Sequence, residues 1–236
     1  YAAPGATAPT PDGLTPGPLL FAVRSMVHEL IAEQSRCYEN DILPALAEHG
    51  VRLLRYADLS DEQRADIDRW FHLNVFPVLT PLAVDPGHRF PFISNLSENI
   101  GVMVSRPGGS AGWGGESGDR HFARVKIPDV LPRLIPVRSR DRDSSSKGFT
   151  ATYISLEEVI RNNLDDLFPG MTIHDVMAFR VTRNAAVEIE EDREDVLLSV
   201  ENELRMRRFA HAVRIEVAPN PPRSVLNFVV QALRLT

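Results

Sequence analysis

The sequence has one cysteine and no long apolar run, and each absence excludes a class of protein. A single cysteine, Cys37, among 236 residues rules out an internal disulfide and a cysteine-based metal cage, and it fits a reducing cytoplasm. No apolar run approaches the roughly 18–20 residues that span a bilayer, and the N-terminus lacks the basic and apolar regions of a signal peptide. The sequence therefore predicts a cytoplasmic globular protein without a transmembrane segment, and leaves peripheral membrane association open.

Common phosphate-binding and metal-binding motifs are also missing. The sequence contains no G-x-x-x-x-G-K-[ST] loop, and none of its seven histidines has the H-x-H or H-x-x-x-H spacing of a metal site. The glycines of residues 108–118 lie between two predicted strands, which favours a hairpin loop over a phosphate cradle. A net charge of −6 argues against a nucleic-acid-binding protein. The residues alone identify neither a catalytic group nor a metal site.

What is present divides the chain into three parts. Residues 1–13 are rich in Ala, Pro and Gly and predict a disordered lead-in. Residues 14–50 predict one long helix, which begins at Thr15-Pro16, is kinked by Pro44 and ends at Gly50. Its apolar residues recur every three or four positions, so one face should pack in a helix bundle. Because the sequence does not begin with Met, we expect a fragment of a longer protein.

Residues 51–236 mix strands and helices without strict alternation, which predicts an α+β domain. The strand pattern predicts strands at 51–56, 99–106, 121–128, 149–156, 176–182, 185–190 and 213–217. Helices are predicted from the capping box of Ser60 and Gln63 to Asn74, at 156–168, at 191–209, and from Pro221 or Pro222 to the chain end.

Two charged groups could bind a ligand. Five arginines could bind a polyanion because the guanidinium is a rigid, permanently charged fork, and solvated or ion-paired side chains are the alternative. These arginines are Arg180, Arg183, Arg205, Arg207 and Arg208. The acidic run at residues 188–195 contains Mg²⁺-type ligands, but negative charge at a helix N-terminus explains it better.

The stretch FPVLTPLAVDPGHRFPFISNLSENIGV, residues 76–102, places four prolines among large apolar residues. Prolines disfavour a regular strand or helix, and the apolar side chains disfavour a solvated loop. Its only fixed cation is Arg89, so phosphate chemistry there is not expected. The composition predicts a buried irregular connection that leads into the sheet of the second domain.

Several segments resemble the polyphosphate kinase family, the large bacterial enzymes with phospholipase D-like catalytic domains. The stretch just described is similar to the family's FPVLTPLAVDP…FPFISNLS signature. FARVKIPDVLPRLIPV, YISLEEVIRNNLDDLFPGM and AFRVTRNAAVEIEEDREDVLLSVENELRMRRF follow in the family's order. The resemblance extends from about Gly17 to the C-terminus.

The resemblance implies an architecture and a reaction. It implies that residues 14–50 are the C-terminal part of the N-terminal helical domain, and that residues 51–236 are a head domain, truncated near its end, that supports dimerisation. The full-length enzyme would transfer the terminal phosphate of ATP reversibly to polyphosphate, with Mg²⁺ and a phosphohistidine.

The same resemblance makes this chain non-catalytic by itself. The family's catalytic histidines occur in motifs related to H-x-K-x-x-x-x-D, and no histidine here is followed two residues later by Lys. We therefore expect no catalytic residue and no bound metal or nucleotide in this chain. The five arginines are expected either to wall a polyphosphate path or, alternatively, to belong to a structural module for self-association.

Overall fold

The computed structural model describes residues 13–84, 90–107, 120–138, 151–184 and 210–235. The chain separates into two compact units. Described residues 13–53 and 151–153 belong to the first unit, and the other described residues belong to the second. Within the described ranges, no helix has both the length and the apolar character needed to cross a membrane.

The first unit contains the predicted long helix, interrupted once. Helix α1 (Pro16–Cys37) continues into a π-helical turn (Tyr38–Ile42) and then helix α2 (Leu43–Glu48). The irregular turn comes just before Pro44, because proline has no N–H for an α-helical bond and the wider turn accommodates it. Gly50 follows with a φ of 77°, so the predicted glycine stop is confirmed.

The N-terminal cap and the exposed surface of α1 can be compared with the prediction. Thr15 has the extended backbone of an N-cap and Pro16 follows it, but the Thr15 hydroxyl makes no capping hydrogen bond. None of the residues of α1 is buried, and large apolar side chains such as Phe21, at 74% exposure, face outward in the described part of the chain. Bundle packing of this face therefore remains a prediction.

The remaining elements alternate irregularly between strands and helices, which confirms the α+β class. The strands are β1 (Val51–Leu54), β2 (Leu82–Val84), β3 (Glu98–Ser105), β4 (Arg120–Lys126), β5 (Leu134–Pro136), β6 (Ala151–Ser155), β7 (Thr172–Arg183) and β8 (Ala212–Val217). The helices are α3 (Asp61–Asn74), α4 (Leu156–Asn162), α5 (Leu164–Leu167) and α6 (Arg223–Ala232). The strand predicted at 185–190 and the helix predicted at 191–209 lie outside the described residues.

The main sheet has five antiparallel strands in the order β2-β4-β3-β7-β8. In the centre of the sheet, Gly101 of β3 faces Arg124 of β4 and Met177 of β7. Strand β2 lies at one edge, with Leu82 opposite Arg124. Strands β1, β5 and β6 do not belong to this sheet.

Each face of the five-stranded sheet is buried by a separate apolar cluster. Successive side chains in a strand point to opposite faces, so Val102 and Val125 belong to a cluster with residues of α3 and α4. Phe122 and Phe179 belong to the second cluster, together with Val225 of α6. We call this second side the α6 face.

In the part described, the proline-rich stretch is the irregular connection that the sequence predicts, but the prediction that it is buried is wrong for most of it, since Phe76, Val78, Leu82 and Phe92 are exposed. It forms a 3₁₀ turn (Phe76–Val78) and then β2, and residues 90–97 contain no helix or strand. Leu79 and Ile93 are buried, whereas residues 85–89 lie outside the described residues. The segment from Phe90 to Ser97 leads directly into β3.

Candidate functional site

Of the arginines selected from the sequence, the structure describes Arg180 and Arg183, and Arg183 contacts more neighbouring segments. It ends β7, and its Nε donates to the carbonyl of Ile93 at 2.7 Å while Nη1 donates to the carbonyl of Ala210 at 2.6 Å. Its backbone N–H donates to Oδ1 of Asn95 at 2.7 Å, and its guanidinium lies 4.4 Å from the centre of the Phe92 ring. Arg183 therefore anchors residues 90–97, which precede β3, to the end of β7.

Arg180 lies on the opposite face of the same strand and is ion-paired. Its Nε donates to Glu216 of β8 at 2.6 Å, and Arg214 contacts the other carboxylate oxygen at 2.6 Å. The hydrogen bond to Glu216 raises the pKa of Arg180, and the same bond lowers the pKa of Glu216. The pair is partly exposed, so water weakens it. Two arginines share Glu216 here, and Glu98, opposite Arg180 on β3, is a second nearby carboxylate.

The other three arginines of the predicted polyphosphate path, Arg205, Arg207 and Arg208, lie outside the described residues. Because Arg180 and Arg183 point to opposite faces of β7, the described residues contain no single cluster of the predicted arginines.

A second anchoring cation, Arg124 of β4, was not among the arginines selected from the sequence. Only 6% of its surface is exposed. Its Nε donates to Oδ1 of Asn99 at 2.7 Å, and its Nη1 donates to the carbonyl of Phe92 at 2.9 Å. Burial lowers the pKa of the Arg124 guanidinium, as it does for Arg183. Both arginines thus hold the segment around Phe92 with buried or half-buried positive charge.

The sequence contained a signal for Arg124. In FARVKIP, Arg124 and Lys126 alternate with the apolar Ala123 and Val125, so one face of a buried strand carries two cations. The Arg124 side chain is covered by Asn99 and Phe92, which lie 25 and 32 positions away in the sequence. The pattern therefore marked an unusual strand without revealing the partners.

The segment that these arginines hold has its own hydrogen-bond network. Ser97 donates from its backbone N–H and its hydroxyl to the carbonyl of Ser94, at 3.3 and 2.8 Å. The amide of Asn99 donates to the Ser97 carbonyl at 2.8 Å. Leu96 has a φ of 58°, a left-handed conformation that is rare for a leucine, and its N–H bonds to the Val181 carbonyl at 2.8 Å. Residues 94–97 thus form a hydrogen-bonded turn that leads into β3.

A groove lies beside this anchor, along the edge strand β2. It encloses about 380 Å³, with Arg124 and Lys126 of β4 and Thr80 among its lining residues. Val78, Leu82 and Val130 supply its apolar lining. The groove thus combines cationic and apolar groups, which is the general composition of a small-molecule site.

The described histidines do not form a comparable site. His174 contacts the Ser105 hydroxyl at 2.7 Å, and His72 lies 3.3 Å from Asp166, both near the surface. Among the residues that the structure describes, no three His, Cys, Asp or Glu side chains are grouped so that they could hold a metal ion. Within the described part, the cationic groups of the second unit are the better candidates for function.

Comparison with protein families gives two matches that together span most of the chain. The model described as "Polyphosphate kinase N-terminal domain" matches residues 2–54. The model described as "Polyphosphate kinase middle domain" matches residues 62–236.

Individual relatives agree with the family models. The chain is 42% identical over 230 residues to a polyphosphate kinase of Mycobacterium ulcerans and 41% identical over 234 residues to one of Mycobacterium tuberculosis. Each alignment covers 97% of this chain and 30% of the relative, so the chain spans about a third of the length of these relatives.

A solved structure shows the same fold. The crystal structure of a polyphosphate kinase from Porphyromonas gingivalis aligns with a TM-score of 0.69 at 23% identity. The alignment covers 92% of this chain and 29% of that one.

Proposed function

Because this chain belongs to the polyphosphate kinase family, we propose that it is part of an enzyme that transfers the terminal phosphate of ATP reversibly to inorganic polyphosphate through a phosphohistidine. The family model that matches residues 62–236 carries this proposal. The full-length enzyme would use ATP and Mg²⁺ in the cytoplasm and act as a homodimer or higher homo-oligomer. We assign residues 14–50 to the N-terminal helical domain and residues 51–236 to the head domain.

In this proposal, the present chain performs no covalent step. None of its histidines is followed two residues later by Lys, the pattern of the family's catalytic histidines. The described residues also offer no group of side chains that fits a metal ion, so we assign no Mg²⁺ ligand among them. The nucleophile and the metal site would belong to other parts of the full-length enzyme.

The role of this chain would be to position and steer polyphosphate. Charge supports this role: the described residues provide no carboxylate hydrogen-bond partner for Arg183, which bonds only to carbonyl groups through its side chain. A polyanion would be attracted to such uncompensated charge, together with Arg205, Arg207 and Arg208. Attraction of this kind weakens as salt screens it.

The alternative is a structural module for self-association, without ligand contact. Two observations favour it: Arg183 is occupied by hydrogen bonds to Ile93 and Ala210, and α1 exposes apolar residues such as Phe21. Sedimentation of the full-length protein across micromolar concentrations would test self-association. A strict monomer would contradict this alternative.

The catalytic proposal is tested with the full-length protein, γ-labelled ATP and Mg²⁺. We expect labelled polyphosphate and a protein-bound label on histidine, mapped by proteolysis to peptides outside this chain. Absence of polyphosphate synthesis would contradict the proposed reaction. A stable label on any of the seven histidines of this chain would contradict its non-catalytic role.

The polyphosphate path is tested by Arg183→Glu, with Arg183→Gln as the matched control. Both variants remove the guanidinium and have nearly the same shape, so the difference between them mainly reflects charge. We expect Arg183→Glu to bind polyphosphate more weakly than Arg183→Gln at low salt, and the difference to shrink at high salt. Equal affinity of the two variants at low salt would exclude Arg183 from the path.

A further inference from the structure

The groove beside β2 contains a buried cation that the described residues do not neutralise. Only 6% of Arg124 is exposed, and its hydrogen-bond partners are the Asn99 amide oxygen and the Phe92 carbonyl. Both partners are neutral. Buried charges in proteins are normally paired, because removing a charge from water is costly. The charge on Arg124 is therefore available to an anion in the groove.

The donors of Arg124 are only partly used. A guanidinium has five N–H donors, and the two bonds to Asn99 and Phe92 account for one from Nε and one from Nη1. Two further donors lie along the same groove: the ammonium of Lys126 and the hydroxyl of Thr80. A carboxylate or phosphate accepts charge-assisted bonds from such groups.

The charges of the groove favour a ligand with little negative charge. Lys126 is paired with Asp129 at 3.2 Å, and Asp129 also accepts from Arg133 at 3.3 Å. Asp129 itself lines the groove. Arg124 and Lys126 together thus exceed Asp129 by one positive charge, which suits an anion of one or two charges better than a polyanion.

The apolar lining adds a second requirement. Val78, Leu82 and Val130 are all well exposed, and Val130 reaches 83%. Exposed apolar side chains around a cationic floor would contact the uncharged body of a ligand. A polyphosphate chain is charged along its whole length and cannot use this surface.

From these contacts we propose that the groove binds a small organic anion, with a carboxylate or phosphate head at Arg124 and Lys126 and an apolar body against Val78, Leu82 and Val130. The volume of about 380 Å³ accommodates a molecule of the size of a substituted aromatic acid. The inference rests on the groove itself and does not depend on the proposed phosphotransfer reaction.

The probes are 4-fluorobenzoate, 4-fluorophenyl phosphate and the neutral 4-fluorobenzyl alcohol, followed by ¹⁹F NMR with the full-length protein. The variants are Val130→Gln and Val130→Glu, which have the same shape and differ in charge. Because Val130 is highly exposed, both variants should fold. We expect both anions to bind the wild-type protein and the alcohol to bind more weakly.

The variants then locate the binding. Val130→Glu should bind 4-fluorobenzoate about five- to tenfold more weakly than Val130→Gln, because a carboxylate at the rim repels the anion. The alcohol should not distinguish the two variants. Equal benzoate affinity in Val130→Gln and Val130→Glu, or no binding to the wild-type protein, would overturn the site.

The two head groups and the apolar body are tested separately. Binding of only one of the two anionic probes in a Val130-dependent manner would assign the head group and leave the site in place. Inorganic phosphate at equal concentration should compete poorly, since it has no apolar body. Competition by inorganic phosphate as strong as by 4-fluorophenyl phosphate would overturn the proposed class of ligand.

Discussion

The guanidinium of Arg183 lies 4.4 Å from the centre of the Phe92 ring, and the ring belongs to the segment that leads into β3. The backbone carbonyl of Phe92 accepts a hydrogen bond from Arg124 at 2.9 Å. The two arginines come from β7 and β4, so the segment is tied to two strands of the five-stranded sheet. Residues 90–97 therefore have a structural role, as a segment held against two strands, that can be tested without any ligand.

Arg183→Lys should loosen the segment while keeping its charge. Lysine lacks the planar fork that bonds to Ile93 and Ala210 and covers Phe92. We expect the amide of Leu96 to exchange with solvent about tenfold faster, equivalent to about 1.4 kcal/mol. Hydrogen exchange of the full-length protein measures it. Unchanged exchange at Leu96 would show that Arg183 is not an anchor.

Leu96→Asn should stabilise the same turn. Leu96 has a φ of 58° and is 55% exposed, so its side chain contributes little packing and its backbone is strained. Asparagine adopts this conformation more readily. We expect the free energy of local opening, measured by hydrogen exchange, to rise by about 0.5–1 kcal/mol. The control is Leu73→Asn in α3, 72% exposed, where asparagine should destabilise the helix slightly. Stabilisation at both positions would indicate an effect of surface polarity and not of backbone strain.

Gly101→Ala should destabilise the centre of the sheet. A Cβ at this position would lie 2.8 Å from a ring carbon of Phe122 and 3.0 Å from a methyl carbon of Val225, so α6 or the ring must shift. We expect a cost of about 1–3 kcal/mol, measured as faster exchange in α6 and β3. Gly17→Ala, whose Cβ would meet nothing within 4 Å, is the control and should be neutral or stabilising. Equal effects of the two substitutions would contradict the close packing at Gly101.

Tyr56 should ionise at unusually high pH. Burial, and then its hydrogen bond to Asp68 at 2.7 Å, raise the pKa of Tyr56 from 10.0 to about 12. A tyrosine whose pKa is higher in the folded protein adds stability that is complete below about pH 10 and is lost as the pH rises toward 12. The ultraviolet difference titration of wild-type protein against Tyr56→Phe should show one phenol that ionises above pH 11. A midpoint near 10 would contradict both the burial of Tyr56 and its hydrogen bond to Asp68.

The sequence predicts local features well because their causes are local. The capping box of Ser60 and Gln63 is an example: the Gln63 N–H donates to Ser60 Oγ at 3.3 Å, and the Ser60 N–H donates to Gln63 Oε1 at 3.0 Å. The alternating strands around Val102 and Val125 were predictable for the same reason, since every second side chain must face a core.

The candidate site was harder to predict because its partners are distant in sequence. Nothing near Arg124 shows that it will meet Asn99 and Phe92, and nothing near Arg183 shows that it will meet Ile93. The sequence also selected Arg180 and Arg183 together, although two positions three residues apart in one strand point to opposite faces. Strand order and register are set by the tertiary structure, and they determine which partners Arg124 and Arg183 meet.

The pairing of β3 with β7 has a consequence for how the chain folds. Gly101 meets Arg124 of the nearby β4, but its other neighbour, Met177, comes about 75 residues later, and contacts of such long range form slowly because a large loop must close first. During synthesis, β2, β4 and β3 can therefore assemble while one side of β3 still lacks its neighbour. In that interval the exposed strand edge is open to pairing with other nascent chains. Translation speed between residues 126 and 172 should thus influence the yield of correctly folded protein.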